Sequence, residues 1–256
     1  MRFDVITLFP EIFPGPLAAG VVGRAREQGL IEIHAHDLRQ FGLGVHRQVD
    51  DIPYGGGPGM VLRPEPLFQA VRVIQALPGT AQPRGILLSA HGRRLTAELV
   101  EELALDARLL LVCGRYEGVD ERVRTGLKLD EVSVGEFVVS GGELPAMMLI
   151  EAVARRLPGT LGDPDSALDE SFNGGLPEYP HYTRPAVFEG MAVPEVLRSG
   201  DHAKIASWRA EAALERARRL RPDLLGIRGE GGIAEAADRD EKRDAATTAV
   251  PLGGAQ

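Results

Sequence analysis

Cysteine is nearly absent from the sequence, since Cys113 is the only one among 256 residues. A single thiol cannot form an intrachain disulfide, so the chain is not one of the small secreted folds that depend on disulfides. Cys113 also ends an apolar segment, residues 109–113, whose composition predicts a buried strand. We therefore expect a protein of the reducing cytoplasm.

Long hydrophobic runs are also missing. The longest apolar stretches, such as residues 109–113, are far shorter than the roughly 20 residues that a membrane-spanning helix needs. The opening stretch, MRFDVITLFPEIF, interrupts its apolar residues with acids and has no small-residue cleavage site, so we expect no signal peptide. The sequence therefore predicts no association with a membrane.

Positive charge is in short supply, because 29 lysines and arginines face 37 aspartates and glutamates, for a net charge of −8. Proteins that bind nucleic acid regardless of its sequence are usually basic, so that class is disfavoured. A local basic face can still contact phosphates while the rest of a protein stays acidic. An enzyme that acts on a specific RNA therefore stays compatible with this composition.

Two common phosphate-binding motifs do not occur. No G-x-G-x-x-G opens a helix after the first predicted strand, and there is no G-K-[ST] of a phosphate loop. These absences exclude an ordinary dinucleotide-binding fold and a P-loop NTPase.

Three apolar segments that each end in a glycine turn are present instead. They are residues 85–92 (GILLSAHG), 109–118 (LLLVCGRYEG) and 132–142 (VSVGEFVVSGG). Buried parallel strands read as continuous apolar runs, and their ligands bind beside the carboxyl ends of the strands. We therefore expect an α/β fold with a parallel sheet, and a ligand site made by the three turns.

The third segment continues into an apolar helix. Its strand is expected to run to about Val139, and the turn that follows to use positive φ angles at Gly141 and Gly142. Glu143 suits the positive end of the helix dipole, and Pro145 suits the first helical turn. A strand, a turn and a helix N-terminus together offer backbone N–H groups to a ligand, although ordinary buried strand–turn–helix units share this pattern.

The chain divides by composition into four parts. Alternating strand and helix patterns predict an α/β domain over residues 1–159, and the polar, glycine-rich residues 160–175 predict a linker. Residues 176–225 predict a small helical domain, in which Asp201 caps a helix that runs to about Arg221. Residues 226–256 have few large apolar side chains and are expected to be disordered.

Four long motifs identify a family. PYGGGPGM (53–60), CGRYEGVDERV (113–123), SVGEFVVSGGELPAM (133–147) and HYTRP (181–185) resemble, in order and spacing, those of the bacterial tRNA (guanine-N1)-methyltransferases. The resemblance covers residues 1 to about 225. It implies a parallel α/β sheet with a deep trefoil knot of the SPOUT type and a small helical C-terminal domain. It also implies S-adenosylmethionine as methyl donor, and a homodimer whose subunits share the active site.

The substrate that the resemblance implies is the guanosine 3′ of the anticodon, position 37, in tRNA. Guanine N1 carries a hydrogen, so methyl transfer needs a base for that proton and a donor near O6. Glu170, directly before Ser-Phe, matches the catalytic acid of the family, which is usually aspartate, and Arg155 matches its catalytic arginine. Asp169 is the alternative base, and both acids could instead be solvated linker charges.

The resemblance also assigns the cofactor contacts. Gly114 and a run of six residues match the S-adenosylmethionine site, and a second group is less strongly marked because residues 89–92, SAHG, depart from the usual Ser-Pro-Gln-Gly. The run is Val134, Gly135, Glu136, Phe137, Val138 and Val139. The second group is Leu87, Ser89, Tyr116, Gly141 and Pro145.

Aromatic and basic residues suggest where RNA binds. Stacking rings and cations recognise unpaired bases, and we expect this role for Tyr54, His181, Tyr182, Arg184 and Arg209, although the loop around HYTRP could instead pack the second domain. The family reaction is assisted by Mg²⁺, yet the sequence shows no ligand cluster and predicts no metal site. The alternatives are a related SPOUT methyltransferase that acts on another RNA and an inactive RNA-binding relative.

Overall fold

A computed structural model describes residues 1–77, 81–161, 172 and 175–225. These residues form two compact units, one within residues 1–161 and one within residues 172–225. The exact domain limits that the sequence predicts stay a prediction. Residues 226–256, expected to be disordered, lie outside the described residues.

The first unit contains a sheet of five parallel strands in the order β2-β1-β6-β5-β7. The strands are β1 (Arg2–Thr7), β2 (Glu32–Asp37), β5 (Arg84–Arg94), β6 (Arg108–Cys113) and β7 (Asp130–Ser133). A short antiparallel pair, β3 (Asp50–Asp51) and β4 (Val61–Leu62), forms a separate two-stranded sheet. The helices are α1 (Gly20–Glu27), α2 (Pro64–Gln75), α3 (Ala97–Ala104), α4 (Glu121–Leu127) and α5 (Glu143–Ala154). The prediction of a parallel α/β sheet is confirmed.

Helices cover both faces of the sheet, which explains why the central strand, β6, is apolar at every position after Arg108. All six residues of β6 are buried. Leu109 and Leu111 pack in one core with α1, α3 and α5, and Leu110 and Val112 pack in the other with α2 and α4. Successive residues of a strand point to opposite faces, so a strand between two helical layers is apolar on both faces, except where a buried charge such as Arg108 has a charged partner.

The strand expected over residues 132–139 is much shorter, and that prediction is wrong. β7 ends at Ser133, where the Leu95 N–H donates to the Ser133 carbonyl over 2.7 Å. β7 lies at the edge of the sheet and β5 is its neighbour there, so its ladder stops where β5 ends at Arg94. The β-branched residues that follow are exposed instead, and Val138 is 86% exposed.

A largely buried ion cluster joins the amino halves of β1 and β6 to His36 of β2. Asp4 and Arg108 are 0% and 1% exposed, and Arg108 Nε donates to Asp4 Oδ2 over 2.7 Å. His36 Nε2 lies 2.7 Å from Asp4 Oδ1, and Arg2 Nε donates to the same carboxylate over 2.9 Å. Burial raises the pKa of Asp4, but the hydrogen bonds from His36, Arg2 and Arg108 outweigh burial and hold the pKa well below its usual range.

The second unit is organised around α6 (His202–Leu220), with a short hairpin of β8 (Val187–Phe188) and β9 (Met191–Ala192). The Asp201 carboxylate accepts a hydrogen bond from the Lys204 N–H over 3.1 Å, so the predicted cap is confirmed. Ile205 and Trp208 are half-buried on one side of the helix, as its apolar stripe predicts.

None of the helices within the described ranges is long and apolar enough to cross a membrane.

Candidate functional site

The second and third glycine turns meet at the carboxyl edge of the sheet. The Gly142 N–H donates to the Gly114 carbonyl over 2.9 Å, and Arg115 pairs with Gly141 in an isolated antiparallel bridge. The turn after β6 and the turn before α5 are therefore joined by their backbones. This is the arrangement that parallel strands with glycine turns predict.

The glycines of the third turn are needed for close approach and not for positive φ, so that prediction is wrong. Gly142 has φ −75° and ψ −3°, which any residue can adopt, and Gly141 is not among the residues with positive φ. A Cβ on Gly142 would lie 2.7 Å from the Cys113 Cα, well inside van der Waals contact. In the second turn, Tyr116 and Gly118 have the positive φ angles, 58° and 132°.

The first turn lies where β5 changes its register with β7. Leu88 and Arg93 both pair with Val132, so residues 89–92 bulge out of the ladder. A Cβ on Gly92 would lie 2.5 Å from the Glu131 carbonyl carbon, so glycine allows this part of the bulge to pass closely over β7. Ser89 Oγ accepts a hydrogen bond from the His91 N–H over 3.2 Å and closes the bulge.

The predicted cofactor run, residues 134–139, is an irregular and largely exposed segment between β7 and α5. Ser133 Oγ donates to the Gly135 carbonyl over 3.0 Å and fixes its start. The Glu136 carboxylate pairs with Arg94 at the end of β5, while Phe137 and Val138 are 56% and 86% exposed. This run therefore offers backbone groups and apolar side chains to a ligand.

Two of the secondary candidates point into the protein. Leu87 is 2% exposed and packs in the core beneath α2, and Pro145 is buried in the first turn of α5. Their buried side chains pack beneath the turns in the protein interior. Leu87 can therefore contact a ligand through its backbone and not through its side chain.

Glu143 has a role that sequence reasoning missed. It is 1% exposed, and its carboxylate accepts hydrogen bonds from Thr7 Oγ1 over 2.8 Å and from Arg115 Nε over 3.0 Å. The Arg115 guanidinium lies 4.4 Å from the centre of the Phe9 ring. An acid within an otherwise apolar helical segment was the available signal, but its partner Thr7 is 136 residues away in the sequence.

The loop of residues 53–60 is joined at one end to the second turn. The Glu117 N–H donates to the Met60 carbonyl, and the Leu62 N–H donates to the Gly118 carbonyl, both over 3.0 Å. Burial raises the pKa of Tyr116, and the charge of Asp50 and a hydrogen bond to it raise the pKa further. At the other end of the loop, Tyr54 is fully exposed and accessible to a large ligand.

The predicted catalytic residues are placed only in part. Arg155 follows α5 directly and is half-buried, and its N–H donates to the Glu151 carbonyl over 3.1 Å. Glu170 and Asp169 lie outside the described residues. Their distance from Arg155 and from the turns therefore stays a prediction.

Most of the predicted RNA contacts of the second unit lie among aromatic rings that meet at tilted angles. The Arg209 guanidinium is 4.6 Å from the Tyr179 ring centre, and the Tyr179 and His181 rings are 4.8 Å apart. Tyr182, which is 50% exposed, packs against Trp208 at 6.3 Å. Arg184 is exposed. The unit therefore presents aromatic rings beside cations, an arrangement that fits both base recognition and internal packing.

Within the described ranges, no group of three or more histidine, cysteine, aspartate or glutamate side chains could hold a metal ion.

Comparison with known proteins points to one family. The family model for tRNA (Guanine-1)-methyltransferase TrmD matches residues 1–227. A Moorella thermoacetica protein named tRNA (guanine-N(1)-)-methyltransferase is 53% identical over 227 residues, which cover 88% of this chain and 90% of that protein. Proteins of the same name from Synechococcus sp. (strain JA-3-3Ab) and Chloroflexus aurantiacus are 55% and 52% identical, over 89% and 93% of both chains. The matched residues include all three turns.

Proposed function

The chain belongs to the tRNA (guanine-1)-methyltransferase family, and we infer that it transfers a methyl group from S-adenosylmethionine to N1 of the guanosine at position 37 of tRNA. The observation that carries this conclusion is the match of the family model to residues 1–227, which include the turns and the second unit. The sequence prediction of a tRNA methyltransferase is confirmed.

The turns fit the methyl donor that this function requires. Adenosyl groups bind between apolar walls and backbone hydrogen-bonding groups, and the described turns supply both, in the exposed Phe137 and Val138 and in the irregular backbone of residues 134–139. The proposed contacts are Gly114, Val134, Gly135, Glu136, Phe137, Val138 and Val139, with Leu87, Ser89, Tyr116, Gly141 and Pro145 as a second group.

For the chemical step, we assign the base to the linker. The bond between sulfur and the methyl carbon breaks as the bond from that carbon to N1 forms, and the N1 proton passes to a carboxylate. Glu170 is the proposed base, with Asp169 as the alternative, and Arg155 is proposed to stabilise the negative charge that grows toward O6. A linker base fits a site that is completed only when tRNA binds.

The finer architecture belongs to the same proposal. A deep trefoil knot of the SPOUT type would place the bulge of β5, the second turn and the third turn around one ligand. This part of the proposal is supported by membership of the family.

A homodimer with a shared active site is also proposed. Leu144 and Met148 are 58% and 50% exposed, and they lie four residues apart on one face of α5. Phe137 and Val138, just before this helix, are exposed as well. Exposed apolar side chains of this number beside a ligand site support a partner subunit that covers them. Size-exclusion chromatography with multi-angle light scattering should give twice the mass of the monomer.

The tRNA contacts are proposed to come from Tyr54, His181, Tyr182, Arg184 and Arg209. Because tRNA is the substrate, we place the enzyme in the cytoplasm. Assistance by Mg²⁺ is part of the family's chemistry, but no step is assigned to the ion, since the described residues contain no candidate ligand group.

The function is tested with in vitro transcripts of tRNA and a labelled methyl donor. A transcript with guanosine at position 37 should be methylated, and the same transcript with adenosine there should not be. Methylation of ribosomal RNA fragments but not of tRNA would favour a related methyltransferase. Donor binding without transfer to any tRNA would favour an inactive relative.

A further inference from the structure

Glu143 is a buried acid for which the chemistry of methyl transfer gives no role. It is the first residue of α5, and its side chain is only 2% exposed. An ionised carboxylate loses a large hydration free energy on burial unless charged or polar partners replace water. The groups that surround it are therefore specific partners.

Both oxygens of this carboxylate are occupied. Oε1 accepts from the hydroxyl of Thr7 at the end of β1, and Oε2 accepts from Arg115 Nε in the second turn. Thr7 is 0% exposed, and its Oγ1 also accepts from the Phe9 N–H over 3.0 Å. The Arg115 guanidinium lies over the aromatic ring of Phe9, which completes this set of contacts. Glu143 thus connects the end of β1, the second turn and the start of α5.

The ion pair also fills the space that a glycine leaves. A Cβ on Gly141 would lie 2.6 Å from Arg115 Cδ and 2.5 Å from Glu143 Oε2. Gly141 itself pairs through its backbone with Arg115, and its neighbour Gly142 donates to Gly114. The side-chain pair and the backbone contacts therefore fix the same distance, between the second and third turns.

We propose that Glu143 is a positioning residue for the methyl donor, which holds the two turns at the spacing that the donor requires. The proposal rests on the function inferred above. Because both carboxylate oxygens are engaged and shielded from solvent, Glu143 acts through Arg115 and the turns and does not touch the donor.

The first test replaces the charge without changing the size of the side chain. Glu143→Gln should weaken S-adenosylmethionine binding by roughly 10-fold or more in calorimetry, as loss of a buried charged hydrogen bond predicts. Its affinity for tRNA should change by less than about twofold, since the second unit is untouched. Glu101→Gln is the control, because Glu101 is exposed on α3, lies in none of the three turns and should leave both affinities unchanged.

A second test asks whether Glu143 acts through Arg115. If it does, Glu143→Gln and Arg115→Gln together should weaken donor binding no more than the stronger single change, because both remove the same pair. Additive losses would overturn the proposal.

A further pair of variants serves if Glu143→Gln fails to fold. Thr7→Val removes the hydroxyl donor at nearly constant size, and Thr7→Ser keeps it. The proposal expects weaker donor binding for Thr7→Val and wild-type affinity for Thr7→Ser. Equal affinities would overturn it.

Failure of the proposed function gives a different result. If the wild-type protein binds no S-adenosylmethionine, the function itself is wrong. If the wild type binds and transfers methyl groups, but Glu143→Gln loses only thermal stability and keeps its donor affinity, Glu143 is structural and the positioning role is wrong.

Discussion

At the scale of single residues, Asp4 shows how a buried charge with charged partners contributes to the free energy of unfolding. Its carboxylate has three cationic or histidine partners and no exposure to solvent. Asp4→Asn would leave the Arg108 guanidinium buried without its counter-charge. We expect a loss of about 3–5 kcal/mol in the free energy of unfolding, measured by urea denaturation at neutral pH.

The same residue predicts a dependence on pH. The folded-state pKa of Asp4 lies below that of the unfolded chain, so its contribution is complete above the unfolded value and is lost as the pH falls toward the folded value. The difference in stability between the wild type and Asp4→Asn should therefore shrink as the pH falls below about 4.

Glu121→Gln is the control for Asp4→Asn. Glu121 pairs with Arg124 over 2.9 Å, but its side chain is 67% exposed. Surface pairs contribute about 0–1 kcal/mol, so this variant should lose little stability. A loss as large as that of Asp4→Asn would contradict the explanation by burial.

The base assignment is also a residue-scale prediction. Glu170→Ala should abolish single-turnover methyl transfer to tRNA and leave the affinity for S-adenosylmethionine unchanged, because the base acts only on the nucleotide. Asp169→Ala is its neighbouring comparison. If Asp169→Ala is inactive and Glu170→Ala is fully active, the base is Asp169.

At the scale of elements, the third turn depends on close packing. Gly142→Ala should lower the free energy of unfolding by about 1–3 kcal/mol, because the new methyl group would overlap the backbone at Cys113. It should also weaken S-adenosylmethionine binding, since the second and third turns would move apart. Urea denaturation and calorimetry measure the two effects.

Gly15→Ala is a closely matched control for this change. Gly15 also has a helical φ angle, −64°, but a Cβ there would meet no atom within 4 Å. Its stability should stay within about 0.5 kcal/mol of the wild type. If both variants lose stability equally, the cause is not the contact with Cys113.

The elements also show how far sequence patterns reach. The apolar run of β6 was correctly predicted, because burial on both faces leaves a local signature. The length of β7 was not correctly predicted. An edge strand ends where its neighbour ends, and which strand lies beside β7 is decided by the tertiary fold and not by the local sequence. The Thr7–Glu143 contact was beyond prediction for the same reason: no local pattern links residues 136 positions apart.

At the scale of the whole molecule, the family match ends at residue 227 and so includes only the first two residues of the polar tail, residues 226–256. A chain that stops at Leu225 should keep kcat/KM for tRNA methylation within about twofold, because all but two of the removed residues lie outside the family match. A large rise in KM for tRNA alone would instead give the tail a part in RNA binding.

Three members of the buried cluster, Arg2, Asp4 and Arg108, lie in the amino halves of β1 and β6, whereas the glycine turns lie toward the carboxyl edge of the sheet. Stability therefore has one large contribution that lies apart from the proposed ligand contacts. Directed evolution can therefore raise the thermal stability of this enzyme at one end of the sheet and change its substrate preference at the other.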